Sequence, residues 1–199
     1  MNRSYPYGII LAAGKSQRMG RLKPLIQIQG KTFLQHISDQ LFKAGIDEVK
    51  IVVGFRAQEI VEQSQAGQVQ FVHNPLYEKG QFSSLLAALS ALETPQRGAL
   101  VCLGDQPHIK HSWIEALIAA HHDHPDALIR PRFGQHTGHP VIYPGRLVPE
   151  IKTMTADDTA KKIWRDHAAE IITVDLDPDI LLDADTPEQL QDIIKRMPK

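Results

Sequence analysis

Two groups of residues carry the chemistry this sequence can do. One is a glycine-bounded basic turn, Gly14-Lys15-Ser16-Gln17-Arg18-Met19-Gly20-Arg21-Leu22-Lys23, which directly follows the apolar run Gly8 to Ala13. Glycines after a first strand let backbone N–H groups face phosphate without side-chain obstruction. Lys15, Arg18, Arg21 and Lys23 would set fixed cations where charge gathers in phosphoryl chemistry. The other group is acidic. Asp105 follows the apolar segment Ala99 to Leu103, and Asp183 and Asp185 sit just before Thr186-Pro187. A carboxylate leaving a central strand suits Mg²⁺, a hard ion that takes oxygen ligands and needs few from protein.

Some alternatives are excluded by motif. Gly20 is followed by Arg21, so the turn is not a Walker A loop, and it lacks the G-x-G-x-x-G pattern of a dehydrogenase. Other residues stay open at this level. Asp185 serves equally as a helix cap or as a metal ligand. His121, His122 and His124 read as a fraying helix end rather than a zinc site. Cys102, inside an apolar strand, reads as core rather than nucleophile, and Trp113 and Trp164 read as packing.

These residues need a scaffold. Strands are predicted at Ile9 to Ala13, Val49 to Gly54, Val69 to Val72, Ala99 to Leu103, Ala127 to Pro131, Pro140 to Tyr143 and Glu170 to Val174. Helices are predicted at Thr32 to Lys43, Ala57 to Gln63, Ser84 to Glu93, Ser112 to His122, Gly145 to Lys152, Asp158 to Asp166 and Thr186 to Arg196. The β–α alternation predicts an α/β protein, a Rossmann-like three-layer α/β/α sandwich with a mainly parallel sheet. Ligands then bind beyond the carboxyl ends of the strands, where the basic turn and Asp105 lie.

Composition bounds the rest. The 199 residues are read as one domain, 1–199, with 42% hydrophobic residues and a net charge of −1. That balance gives no basic footprint for nucleic acid and no charge run for a membrane surface. The early apolar run is too short for a signal peptide or membrane span. One cysteine permits no internal disulfide, which fits a cytoplasmic protein.

The string Leu11-Ala12-Ala13-Gly14-Lys15-Ser16-Gln17-Arg18-Met19-Gly20-Arg21-Leu22-Lys23 resembles the signature of the molybdenum-cofactor nucleotidyltransferase family. Leu103-Gly104-Asp105-Gln106-Pro107, Asn74-Pro75-Leu76-Tyr77 with Gly80 to Leu85, Gly138-His139-Pro140-Val141 and Asp183-Ala184-Asp185-Thr186-Pro187 also resemble its motifs. The resemblance implies nucleotide contacts through Leu11, Ala12, Ala13, Gly14, Lys15 and Ser84. It implies Arg18 and Lys23 on the triphosphate, Asp105 and Asp185 on Mg²⁺, and His139 and Asp157 near the acceptor. The donor implied is an NTP, with CTP favoured by the Ala-Ala-Gly loop, and the acceptor a phosphorylated molecule, molybdopterin. A molybdoenzyme or its chaperone is the implied partner. A guanylyl version, a sugar- or alcohol-phosphate acceptor, and a non-catalytic nucleotide-binding module are the alternatives. One departure is clear: the family's G-D-x-G-A-R loop is replaced by Ala156-Asp157-Asp158-Thr159-Ala160-Lys161.

Overall fold

A computed structural model describes residues 5–16 and 19–197. Its main sheet runs β10-β7-β9-β6-β1-β4-β5. The strands are β1 (Tyr7–Leu11), β4 (Val49–Val53), β5 (Gln70–His73), β6 (Ala99–Leu103), β7 (Leu128–Phe133), β9 (Val141–Tyr143) and β10 (Ile171–Asp175). β1 pairs in parallel with both β4 and β6, β5 with β4, and β10 with β7. β9 runs antiparallel to β6 and β7. The reason is chain length. β7 turns back through the two-residue β8 (His136–Thr137) and reaches β9 at once, with no room for the crossover helix that a parallel return needs.

Alternate side chains of each strand face opposite layers, as the two-residue strand period requires. Ile10, Ile51, Leu100, Cys102, Ile129 and Ile142 face one layer, built from α1 (Phe33–Lys43), α2 (Ala57–Gln63) and α4 (His111–Asp123). Ile9, Val52, Val101, Leu128, Val141 and Tyr143 face the other, built from α3 (Gln81–Ser90), α5 (Val148–Lys152) and α6 (Ala160–Asp166). The predicted three-layer, mainly parallel α/β architecture is therefore observed.

Two strands escaped the sequence pattern. β2 (Gln27–Ile28) and β3 (Lys31–Thr32) are two residues each, too short to show alternation. They close through Gln29 and Gly30, both at positive φ, as a tight hairpin turn demands. This hairpin and α7 (Pro187–Arg196) share a third cluster of Ile26, Ile28, Phe33, Leu190 and Ile193. That packing carries the chain just before α7, residues 183–186, back to the sheet.

The discounted residues divide. Cys102 is buried and burial pushes its thiol pKa up, so it is inert core. His121 is not frayed: it is buried in the last turn of α4, with Nδ1 unpartnered. Trp113 is buried core and donates its indole N–H to Asp177 at 2.9 Å. Among the described residues, no helix is long and apolar enough to cross a membrane.

Candidate active site

β1 ends at Leu11, two residues earlier than its apolar run suggests. The chain leaves the ladder but stays pinned to its neighbours. Ala12 N–H donates to Val52 O at 2.9 Å, and Phe55 N–H to Ala13 O at 3.1 Å. Gly104 N–H donates to Leu11 O at 2.9 Å. A Cβ on Gly104 would lie 2.9 Å from that same oxygen, so only glycine lets the end of β6 approach so closely. The loops after β1 and β6 are thereby locked side by side at the carboxyl edge of the sheet.

Between them lies a cleft of about 410 Å³. Leu11, Ala12, Ala13, Gly14 and Ser84 line it, with Lys23, Asp105, Asp183 and Asp185 on its polar side. Lys23 opens a short 3-10 turn with Pro24 next in chain, and Ser16 Oγ accepts from its backbone N–H at 3.2 Å. Its side chain is only 11% exposed. The ammonium donates to Asp105 Oδ2 at 3.1 Å and to Asp185 Oδ1 at 2.5 Å. Three residues far apart in sequence thus meet as one charge triad.

The second aspartate segment is held in place twice. Ala184 N–H donates to Asp105 O at 3.0 Å, and Gln106 Nε2 donates to Asp183 Oδ1 at 2.9 Å. Burial first, then the Asp105 charge, raises the Asp183 pKa above the usual carboxylate value. Asp185 does not cap α7. Thr186 does, through a capping box with Gln189: its hydroxyl accepts from Gln189 N–H at 3.3 Å and its own N–H donates to Gln189 Oε1 at 2.9 Å. The Asp185 carboxylate is therefore left to face Lys23.

These donors fit a divalent cation. Asp105 and Asp185 supply hard oxygens from two segments and already converge on one positive charge. Among the described residues, no three His, Cys, Asp or Glu side chains gather as a metal cage. That pattern suits an ion that brings most of its ligands as phosphate and water.

The other predicted residues differ in placement. Arg18 lies outside the described residues. Lys15 is exposed, does not line the cleft and pairs with Glu78 at 2.6 Å. Arg21 is exposed. Ser84 is buried at the cleft wall, where Asn74 Nδ2 donates to its Oγ at 3.0 Å and to Ser83 Oγ at 2.9 Å. Gly80, at φ 99°, makes the turn into α3, which starts at Gln81, three residues before the predicted start.

A second cavity of about 590 Å³ opens beside the first and shares Leu11, Gly80 and Gln81 with it. His139 lines it, and burial lowers its pKa to about 4, so the ring is neutral near pH 7. Asp157 is not on its wall. It is exposed and pairs with Lys79 at 2.8 Å, while Asp158 accepts from Thr155 N–H at 2.9 Å and Ala160 and Lys161 line the cavity. Without the family's glycines this segment forms a side-chain-bonded turn that runs straight into α6. Sequence reasoning missed Arg130 and gave Trp164 only a packing role; both line this cavity. An arginine inside a strand otherwise facing the core was the available signal.

A Rossmann-like sheet with a glycine loop, a lysine and paired aspartates at its carboxyl edge defines a nucleotidyltransferase-type protein. Residues 8–171 match the family described as the MobA-like NTP transferase domain, and the chain belongs to that family. A nicotine blue oxidoreductase from Paenarthrobacter nicotinovorans is 29% identical over 164 residues, which cover 79% of this chain and 79% of the relative. A probable molybdenum cofactor guanylyltransferase from Methanosarcina mazei is 28% identical over 158 residues, 75% of this chain and 68% of the relative. Among solved structures, Rv0371c from Mycobacterium tuberculosis H37Rv superposes with a TM-score of 0.80 at 22% identity, covering 96% of this chain and 98% of that one. A manganese complex of Rv0371c superposes at 0.72 with 20% identity, covering 98% and 100%. These two likenesses support the fold.

Proposed function

We propose that this protein transfers a nucleoside monophosphate from an NTP to a phosphorylated acceptor and releases pyrophosphate. CTP is the proposed donor, from the Ala12-Ala13-Gly14 form of the loop, and molybdopterin the proposed acceptor. The observation that carries the reading is Lys23 held between Asp105 and Asp185 beside a backbone loop suited to phosphate. The chain would work in the cytoplasm, on a cofactor destined for a molybdoenzyme or its chaperone.

In the reaction, an acceptor phosphate oxygen attacks the α-phosphorus, the α–β bond breaks, and pyrophosphate leaves with the electron pair. Backbone N–H groups of Ala13 and Gly14 orient the nucleotide. Lys23, with Arg18 by family resemblance, holds the triphosphate and offsets charge as it builds on the phosphoryl oxygens. Asp105 and Asp185 would hold Mg²⁺, which when bound would neutralise charge on the phosphates. His139, neutral and facing the adjoining cavity, orients the acceptor without adding charge. Little covalent chemistry is asked of the protein, so positioning and electrostatics supply the rate.

The guanylyltransferase relative gives a second donor, GTP, a specific standing. The deciding experiment screens CTP and GTP with Mg²⁺ and molybdopterin for pyrophosphate release. Release with CTP is expected; release with GTP alone would reassign the base. Nucleotide binding with no release from any NTP would favour a non-catalytic binding module instead.

A further inference from the structure

Arg130 lies on β7 and lines the second cavity. Arg56, Arg97, Arg132, Arg146, Arg165 and Arg196 each meet a carboxylate. Arg130 does not: among the described residues its guanidinium has no acid partner, and its Nε is buried without a hydrogen bond. Its main contact is aromatic. The guanidinium carbon stands 5.2 Å from the centre of the Trp164 ring, and Trp164 in turn packs against Tyr143 with centroids 5.6 Å apart. Lys79 and Lys161 also line the cavity, while the one carboxylate on its wall, Asp158, is engaged with Thr155 and Lys162.

A half-buried guanidinium with unused donors is a costly arrangement unless something pairs with it. A flat guanidinium fixed on a ring presents a fork that matches the oxygens of a phosphate or carboxylate, which a lysine cannot reproduce. The half-buried Trp164 ring, backed by the buried Tyr143, gives the cavity an aromatic wall for a flat conjugated group. We infer that Arg130, shelved on Trp164, is an anion-recognising residue that takes a phosphate monoester joined to a planar ring. It rests on the transfer reading only in calling that ligand the acceptor. The three residues shared between the two cavities place this ligand next to the nucleotide cleft, and Arg130 acts there as a specificity determinant.

The test is calorimetric binding of phenyl phosphate to the whole protein, with and without CTP and Mg²⁺. Wild type should bind it saturably and CTP should not displace it. Arg130→Gln should weaken binding roughly tenfold or more, the scale of a lost charge-assisted contact. Arg130→Lys, which keeps the charge, should weaken it by a smaller factor, and Trp164→Leu should weaken it while the arginine stays. CTP binding should be unchanged in all three, which also shows that they fold. No saturable binding, equal affinity in Arg130→Gln, or displacement by CTP would each overturn the assignment. The assay needs no turnover, so a protein that releases no pyrophosphate yet binds phenyl phosphate through Arg130 would refute the transfer reading and leave this one standing.

Discussion

Lys23 Nζ lies 2.5 Å from Asp185 Oδ1, joining residues 162 positions apart in the chain. With Asp105 at 3.1 Å on its other side, one ammonium bridges two carboxylates that would otherwise repel and offsets half of their charge. Lys23→Met removes that charge with little change in volume. Turnover should fall by about 10²-fold or more, as for other groups aimed at developing phosphoryl charge. Stability at neutral pH should also fall, by about 1–2 kcal/mol, because the aspartates are about a quarter exposed and water screens part of their repulsion. Steady-state pyrophosphate release and urea titration check the two effects separately. Unchanged turnover would show that Lys23 only balances the aspartates.

Asp105→Asn tests the other side of the same triad. The amide keeps the shape and leaves the backbone oxygen that accepts from Ala184 untouched, so the fold should persist with Tm shifted by a few degrees at most. The anionic donor is lost, and turnover should drop by at least about 10²-fold. Raising Mg²⁺ or Mn²⁺ should recover part of it. Full activity at ordinary metal concentration would remove Asp105 from the metal site.

How the triad was legible follows from where its residues sit. The apolar strands β1 and β6 announced themselves by composition, and the rule that ligands bind at strand carboxyl ends brought the Gly14–Lys23 turn to Asp105. Thr186-Pro187 marked the start of α7, yet the choice between cap and ligand for Asp185 needed coordinates, because Asp185 and Thr186 are adjacent and either side chain could cap the helix. The acceptor side read less well. Asp157 and Asp158 are neighbours of one type, and only the local hydrogen bonds to Thr155 decide which faces inward. Arg130 was hidden within a strand, since strand alternation tells which face a side chain takes but not whether that face holds a cavity. Lys15 matched the phosphate-loop pattern, while its pairing with Glu78 depends on a turn 63 residues away.

His139 should give the protein a measurable acid slope. Burial lowers its pKa to about 4 from an ordinary 6.5. Between those values the unfolded chain binds a proton that the folded chain refuses. Stability is therefore full above about pH 6.5 and is lost as pH falls toward 4, by at most about 3 kcal/mol from this group. His108 and His121, also lowered chiefly by burial, add to the slope in the same direction. His139→Gln should flatten the pH dependence between 7 and 5 whatever its effect at pH 7. Urea midpoints at both pH values give the comparison; identical slopes in wild type and variant would contradict the assignment.

The last test separates the cap of α7 from the ligand beside it. Thr186→Ala removes the hydroxyl that accepts from Gln189, and helix caps of this kind are worth about 1 kcal/mol. Stability should fall by that amount, while Asp185 keeps its contact with Lys23 and activity changes little at temperatures well below Tm. Asp185→Asn should do the reverse, because the cap survives and the carboxylate does not: near-normal unfolding with turnover down about 10²-fold. Measuring Tm and pyrophosphate release on both variants makes the contrast direct. If Thr186→Ala lost activity as steeply as Asp185→Asn, the cap would be what holds the aspartate in place, and the two roles assigned to adjacent residues would merge into one.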